Sequence, residues 1–332
     1  KTNKTNKGGY MKVSILGMGA FGIALTKILK KDVEVSMWTN FEDELKAVEL
    51  KRENTVVLPN VKIDKKVELT TDLEKCVKAS SVIFIAVPAV AVRKVANKLK
   101  DYITLDQTIC IVTKGIERDT NLFMTDVLNE CIDVENICVF AGPSFAIEVA
   151  NGANIGMVIA SENDKCKDMI ESVISTERLN LTKTSDIIGT QICSAIKNVF
   201  AIICAMLNGE EDTDSTRAAL FTTILNDFRL VMGVLGGNEA TVYSYAGIGD
   251  LLLTCLSPKS RNYSFGKLIG KGMSKDEALN NMNVKTVEGL YTLDAIYDIL
   301  KQKKVEVRSI NLLYDVVYNG KKVDNLLKEI SN

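Results

Sequence analysis

The feature that most constrains this chain is an alternation in its first half. Short apolar runs ending at or near glycine or proline are followed by segments of helical period. "MKVSILG" at 11–17, "VEVSMW" at 33–38, "SVIFIAVP" at 81–88, "TICIVTKG" at 108–115 and "NICVFAGPSF" at 136–145 read as strands. Between them, residues 21–29, 90–99 and 122–129 space their apolar side chains for one face of a helix. Strands that are apolar throughout are buried on both faces, and strands separated by helices pair in parallel. The pattern therefore predicts an α/β fold with a Rossmann-type parallel sheet, which runs at 156–160 and 179–184 are placed to extend. From about residue 190 long apolar-periodic segments dominate, at 191–207, 216–235 and 287–300, and strand signals nearly vanish. The expectation is two domains, 11–189 and an all-α 190–332. Residues 1–10, polar and basic, read as a disordered leader or a cloning remnant.

Charge and cysteine usage narrow the function. Lys+Arg 41 against Asp+Glu 42 leaves a formal net charge of -1, so no global field draws the chain to nucleic acid or to anionic lipid. A small molecule is the expected partner. No apolar run approaches the roughly 18 residues of a membrane span. The eight cysteines are scattered singly with no CxxC pair, which fits buried thiols in a reducing cytoplasm better than disulfides or zinc. There is no histidine at all. That removes Ser-His-Asp and Cys-His nucleophiles, His-ligated zinc and every dehydrogenase with a histidine acid. Any acid-base chemistry falls to Lys, Asp, Glu, Tyr or Cys.

Directly after the first strand and before the first helix stands "GMGAFG", with Gly17, Gly19 and Gly22. In that context the glycines serve a tight turn, close approach of backbone to a pyrophosphate, and helix-strand packing, which predicts dinucleotide binding. The acid expected about 20 residues later is missing, because "MWTN" occupies 37–40. An acid there would repel a 2′-phosphate, so its absence leans toward NADP, or toward tolerance of both NADP and NAD. "AVP", "TKG" and "AGPSF" each end a predicted strand, where open α/β sheets bind ligands, making Lys114 and Ser144 candidates against a reading as simple loop residues.

In "QICSAIKNVFAIICAML" Lys197 is the one charged residue of an apolar helix, sharing a face with the small residues Cys193, Ser194, Ala201 and Cys204. Two readings stay open. The amine snorkels to water, or burial lowers its pKa until it can donate and accept protons near neutrality, with Asn198 beside it. "AGIGDLLLTC" offers Asp250 as a helix cap or as the partner that positions Lys197. "SRNYSFG" places Ser260 at a helix start with Arg261 and Asn262 in its first turn, a set suited to a phosphate or to nothing more than an exposed basic loop.

"GMGAFG", "VLPNVKI", "AVPA", "TKGIE", "AGPSFAIEVA", "AIKNVFAI", "AGIGDLLLTC", "SRNYSFG" and "VEGLYT" occur in the order and approximate spacing of the bacterial-type NAD(P)-dependent glycerol-3-phosphate dehydrogenases, and from Met11 onward the chain resembles that family. The resemblance implies a Rossmann domain followed by a helical domain, and reversible reduction of dihydroxyacetone phosphate to sn-glycerol 3-phosphate. It places the proton donor and acceptor on Lys197, with Lys114 and Asn198 orienting the ketone oxygen and Asp250 fixing the amine. It places substrate contacts on Lys114, Gly142, Ser144, Lys197, Asp250, Ser260, Arg261 and Asn262. Cofactor contacts fall on Gly17, Gly19, Ala20, Phe21, Gly22, Lys114, Ala146, Arg261, Thr286 and Glu288. It further implies a cytoplasmic homodimer supplying glycerol 3-phosphate for phospholipid synthesis. The chain departs from the family at "EEDTDSTRAALFTTIL" (210–225), where the family's "TRGL" is absent, and at "CSA" (193–195), which alters a glycine. Two alternatives remain beside this reading: a cofactor-binding sensor of the same fold, and a dehydrogenase of a related hydroxyacid.

Overall fold

A computed structural model describes residues 11–208 and 212–331, and the chain divides into two compact units. Residues 1–10 and part of the 210–225 stretch lie outside the described residues. The first unit comprises 11–113, Thr125–Phe140 and Ser144–Ser185; the second comprises Lys114–Met124, Ala141–Pro143 and the chain from Asp186 onward.

The first unit is built on eight strands: β1 (Lys12–Leu16), β2 (Glu34–Trp38), β3 (Glu68–Thr70), β4 (Val82–Ile85), β5 (Thr108–Ile111), β6 (Ile137–Ala141), β7 (Ile155–Ala160) and β8 (Leu179–Thr184). Their order is β3-β2-β1-β4-β5-β6-β7-β8. Pairing is parallel from β3 through to β6 and again between β7 and β8. The first six strands follow the dinucleotide-binding order, which reverses between β1 and β4. The helices of this half are α1 (Ala20–Leu25), α2 (Glu42–Lys51), α3 (Leu73–Val77), α4 (Ala89–Leu99), α5 (Met124–Cys131), α6 (Ala146–Ala150) and α7 (Asp164–Val173). Val13, Ile15, Met37, Phe84 and Phe140 of the sheet join Ile23, Leu25 and Ile170 of the helices in one core.

Local chemistry explains where the pattern and the fold part. β3 was not expected, because three residues with a charged first member carry no periodic signal. The helix expected at 21–29 ends at Leu25, although 26–28 continue as single turns bonded three residues back, so the apolar spacing outlasts the α-helix. The strand expected at 136–145 ends at Ala141.

The second unit is helical: α8 (Ile187–Ala205), α9 (Asp214–Val234), α10 (Asp250–Cys255), α11 (Arg261–Gly270), α12 (Lys275–Asn281), α13 (Glu288–Gln302), α14 (Arg308–Tyr318) and α15 (Leu326–Ser331). α8 is its axis, packed by α9, α10, α11, α13 and α14. Sixteen of its nineteen residues are buried. By length and composition α8 would pass as a membrane span, contrary to the expectation that no run comes near one, yet here it is the core helix of the unit. Asp186 caps it, accepting from the Gly189 N–H at 2.9 Å, and also holds Thr241 Oγ1 at 2.6 Å. α11 approaches closely because Gly266 and Gly270 lack side chains; a Cβ on either would lie 2.2 Å from a backbone carbonyl oxygen, of Ile202 and of Met206 respectively.

Phe200 of α8 is fully buried and meets Phe228 of α9 at 5.7 Å between ring centroids. Phe200→Ala should cost about 3–5 kcal/mol of stability, as aromatic truncations in packed cores do. Urea unfolding of the variant measures it, and a loss below about 1 kcal/mol would show that this contact is not part of a close-packed core.

Candidate active site

Asp250 begins α10, immediately after a single π-type turn at Tyr245–Gly249. That turn needs glycine at 247, where the backbone sits at φ -85°, ψ -107° and an added Cβ would lie 2.1 Å from the Val242 carbonyl oxygen. Ser244 Oγ steadies it by accepting from the Gly247 N–H at 3.2 Å. Asp250 is consequently 1% exposed and does not cap its helix, since Gly249 occupies the cap position.

Its carboxylate instead bridges two ammonium groups. Oδ1 accepts from Lys197 Nζ at 2.7 Å and Oδ2 from Lys114 Nζ at 2.8 Å, while Lys114 also donates to the Gly142 carbonyl at 3.3 Å. Lys197 is 7% exposed, so it does not snorkel. Thr254 Oγ1 donates to the Asp250 carbonyl at 2.6 Å and secures the first turn of α10. Burial, reinforced by the Lys114 charge and opposed by Asp250, lowers the Lys197 pKa from 10.5 to about 8. Burial pushes the Asp250 carboxyl up, but two ammonium groups outweigh it and hold the group below its ordinary range. A buried cluster with two cations and one anion is therefore poised to give up a proton at Lys197.

Around this cluster the other predicted residues of the helical unit form a second linked set. Asn198 Nδ2 donates to Glu288 Oε2 at 3.3 Å. Asn262, buried in the first turn of α11, accepts from the Gly289 N–H at 2.9 Å. A Cβ at Gly289 would meet the Asn198 carbonyl and Asn262 Oδ1, each at 2.8 Å, so this glycine lets α13 close on α8 and α11 together. Ser260 caps α11, accepting from the Tyr263 N–H at 3.3 Å, and Arg261 is exposed beside it. Thr286 donates to the Val287 carbonyl just before α13.

The first unit holds the glycine loop. Gly17 has φ +124°, and a Cβ there would lie 2.7 Å from the Ala86 carbonyl oxygen at the end of β4, across the point where strand order reverses. At Gly22 a Cβ would lie 2.2 Å from the Gly17 carbonyl oxygen, which closes α1 onto the loop. Gly19 differs, because an added Cβ would meet nothing within 4 Å. The omitted side chain leaves open space beside the start of α1, where Ala20 and Phe21 are half-buried, and a pyrophosphate fits such a cradle. Ser144 and Ala146 lie at the entry to α6 in the same unit.

With this geometry in view, the comparisons with known proteins are specific. Residues 12–167 match the model of the NAD-dependent glycerol-3-phosphate dehydrogenase N-terminus, and 186–328 match that of the C-terminus. A Fusobacterium nucleatum protein, glycerol-3-phosphate dehydrogenase [NAD(P)+], is 32% identical over 96% of this chain and 96% of its own. The chain belongs to the NAD-dependent glycerol-3-phosphate dehydrogenase family. A glycosomal glycerol-3-phosphate dehydrogenase [NAD(+)] of Leishmania mexicana is 35% identical, over 96% of this chain and 89% of that protein. The crystal structure of glycerol-3-phosphate dehydrogenase from Coxiella burnetii superposes with a TM-score of 0.86 at 29% identity, covering 96% of this chain and 98% of that one.

Within this family member, Gly289, Thr254 and Asn54 are structural supports that sequence reasoning did not single out. Gly289 was visible only as the glycine of "VEGLYT". Asn54 Nδ2 donates to the Met18 carbonyl inside the glycine loop at 3.0 Å, a link across 36 residues that spacing does not announce. A cavity of 390 Å³ walled by Leu220, Phe221, Leu252 and Leu256 shares none of the predicted site residues.

The charge balance of the cluster is open to measurement. Asp250→Asn removes the carboxylate bonded to Lys197, so the Lys197 pKa should fall below about 8. NMR titration of the lysine side chain reads this, and a pKa that stays or rises would contradict the assignment of Asp250 as its counter-charge.

Proposed function

We propose that this chain reversibly reduces dihydroxyacetone phosphate to sn-glycerol 3-phosphate with NADH or NADPH, with 11–189 as the dinucleotide-binding domain and 190–332 as the substrate and catalytic domain. The observation that carries the reading is the buried Lys197–Asp250–Lys114 cluster in a chain without histidine. When bound, the reduced nicotinamide supplies a hydride to the C2 carbon of the ketone. Lys197 supplies the proton to the C2 oxygen and is left neutral, so hydride plus proton convert the carbonyl to the alcohol. Asp250 fixes the Lys197 amine. Lys114 and Asn198 orient the same oxygen, and Gly142 and Ser144 line the substrate. The N–H groups at the start of α11 with Ser260, Arg261 and Asn262 take the phosphate, which an exposed guanidinium and a helix N-terminus both favour.

The cofactor is held by Gly17, Gly19, Ala20, Phe21 and Gly22 at its pyrophosphate. Lys114, Ala146, Arg261, Thr286 and Glu288 complete its contacts, the positions that family resemblance suggests. Positioning the ketone accounts for much of the rate, and proton transfer for a further share. Eight unpaired cysteines suit the cytoplasm as the working compartment. The same family resemblance supports a homodimer and a role in supplying glycerol 3-phosphate for phospholipid synthesis.

Loss of reduced-nicotinamide absorbance on adding dihydroxyacetone phosphate tests the activity, and Lys197→Met tests the acid. The variant should lose about 10²–10⁴ in kcat while still binding the dinucleotide. Unchanged turnover would remove Lys197 from the mechanism. The pH dependence has a fixed sign: reduction needs the protonated amine, so its rate holds at neutrality and falls as pH rises through about 8, whereas glycerol 3-phosphate oxidation rises over the same interval. Arg261→Ala should raise the KM for dihydroxyacetone phosphate about ten- to a hundredfold with a smaller effect on kcat, the scale of a lost hydrogen bond to a charged group. An unmoved KM would place the phosphate elsewhere.

A further inference from the structure

We infer that Glu44 is the acid that reads the adenosine ribose and that it makes this chain select NAD over NADP. The inference rests on the proposed binding of a dinucleotide at the glycine loop. In a sheet of this order the ribose lies outside the carboxyl end of β2, where an acid accepts from the 2′-hydroxyl. Residues 37–40 contain none. The fold supplies one from the first turn of α2 instead.

Glu44 is anchored on both oxygens. Oε1 accepts from Asn54 Nδ2 at 3.0 Å, and Oε2 accepts from Thr39 Oγ1, one residue beyond β2. Asn54 Nδ2 donates equally, at 3.0 Å, to the carbonyl of Met18 between the first two glycines of the loop. The Thr39 hydroxyl thus ties the carboxylate to the end of β2, and the Asn54 amide ties it to the glycine loop. The side chain is half-buried, and each carboxylate oxygen has lone-pair capacity beyond its one bond, so Glu44 has both access and acceptors for ribose hydroxyls.

A 2′-phosphate fares differently. It brings about -1.5 to -2 of charge and, when fully ionised, no proton to donate, so it meets Glu44 with repulsion and no hydrogen bond. Lys98 brings a cation to this end of the sheet, its Nζ 2.7 Å from Asn40 Oδ1 on an exposed side chain. Against it stand Glu44 and its neighbour Asp43, both in the first turn of α2. Glu42 is turned away to accept from Thr71 Oγ1 at 2.6 Å. On this proposal the leaning toward NADP drawn from the missing acid at 37–40 gives way to NAD.

The test is calorimetric titration of the purified protein with NADH and NADPH in the absence of substrate, for the parent, Glu44→Gln and Glu42→Gln. The parent should bind NADH at least about tenfold more tightly than NADPH, one hydrogen bond to a charged group being worth that much or more. Glu44→Gln should narrow the ratio by about tenfold, by weakening NADH and strengthening NADPH, while Glu42→Gln leaves it within about twofold. A ratio unmoved by Glu44→Gln, equal narrowing by Glu42→Gln, or tighter NADPH binding by the parent overturns the assignment while leaving dinucleotide binding intact. Binding of neither dinucleotide by the parent overturns that underlying reading and this one with it.

Discussion

One buried carboxylate facing two ammonium groups is the interaction on which the helical unit depends. Asp250 is 1% exposed and spends one oxygen on each lysine. Bringing the charges of Asp250 and Lys197 out of water costs several kcal/mol per ion after relaxation, which only close mutual geometry, with the half-buried Lys114 as a second partner, offsets. Removing Asp250 leaves both ammonium groups without their counter-charge, a kind of change that typically costs about 3–5 kcal/mol, whereas removing either lysine leaves the carboxylate paired with the other. The carboxylate is therefore the member on which the other two depend. Its three members come from 114, 197 and 250, so the segment after β5, the core helix α8 and the entry to α10 must all be in place for it to exist.

The packing of the helical unit meets that demand through absent side chains. Gly247 permits the turn that buries Asp250, Gly289 brings α13 onto α8, and Gly266 with Gly270 brings α11 to the same helix. At Gly247, Gly266 and Gly270 the nearest atom is a backbone carbonyl oxygen, which cannot yield as a side chain can, and at Gly289 the Asn198 carbonyl is joined by the side chains of Ile202 and Asn262. α8 is therefore fixed along its length, and the amine in its middle has little freedom. An apolar helix that would suit a membrane by composition becomes a rigid mount for one charge, because every neighbouring helix covers part of it.

Much of this was legible in the sequence, for identifiable reasons. Strand, glycine turn and helix follow one another between Lys12 and Leu25, so "GMGAFG" announced its own geometry, and the reversal of strand order between β1 and β4 falls where that motif stands. Lys197 was conspicuous because a charge interrupts an apolar helix. Its partner was legible only as a candidate, since Asp250 lies 53 residues away and could equally have capped α10. The short strand β3 carries too few residues to show a period. Glu44 escaped because the rule for ribose recognition points to the end of a strand, whereas here the acid sits a turn into the next helix and returns through Thr39 and Asn54.

The second lysine gives the cluster its direction. Burial is the largest cause that lowers Lys197 to about 8, and Asp250 opposes it. Lys114 shifts the balance further the same way as burial, by sharing the carboxylate and by a repulsion of its own. At neutral pH such an amine is still about nine-tenths protonated, so it is charged when a ketone arrives, yet it parts with the proton far more readily than an exposed lysine. In the proposed reduction the transfer leaves Lys197 neutral and Asp250 paired with Lys114 alone. Two cations and one anion become one of each, so the step that protonates the substrate also relieves the charge excess buried around it.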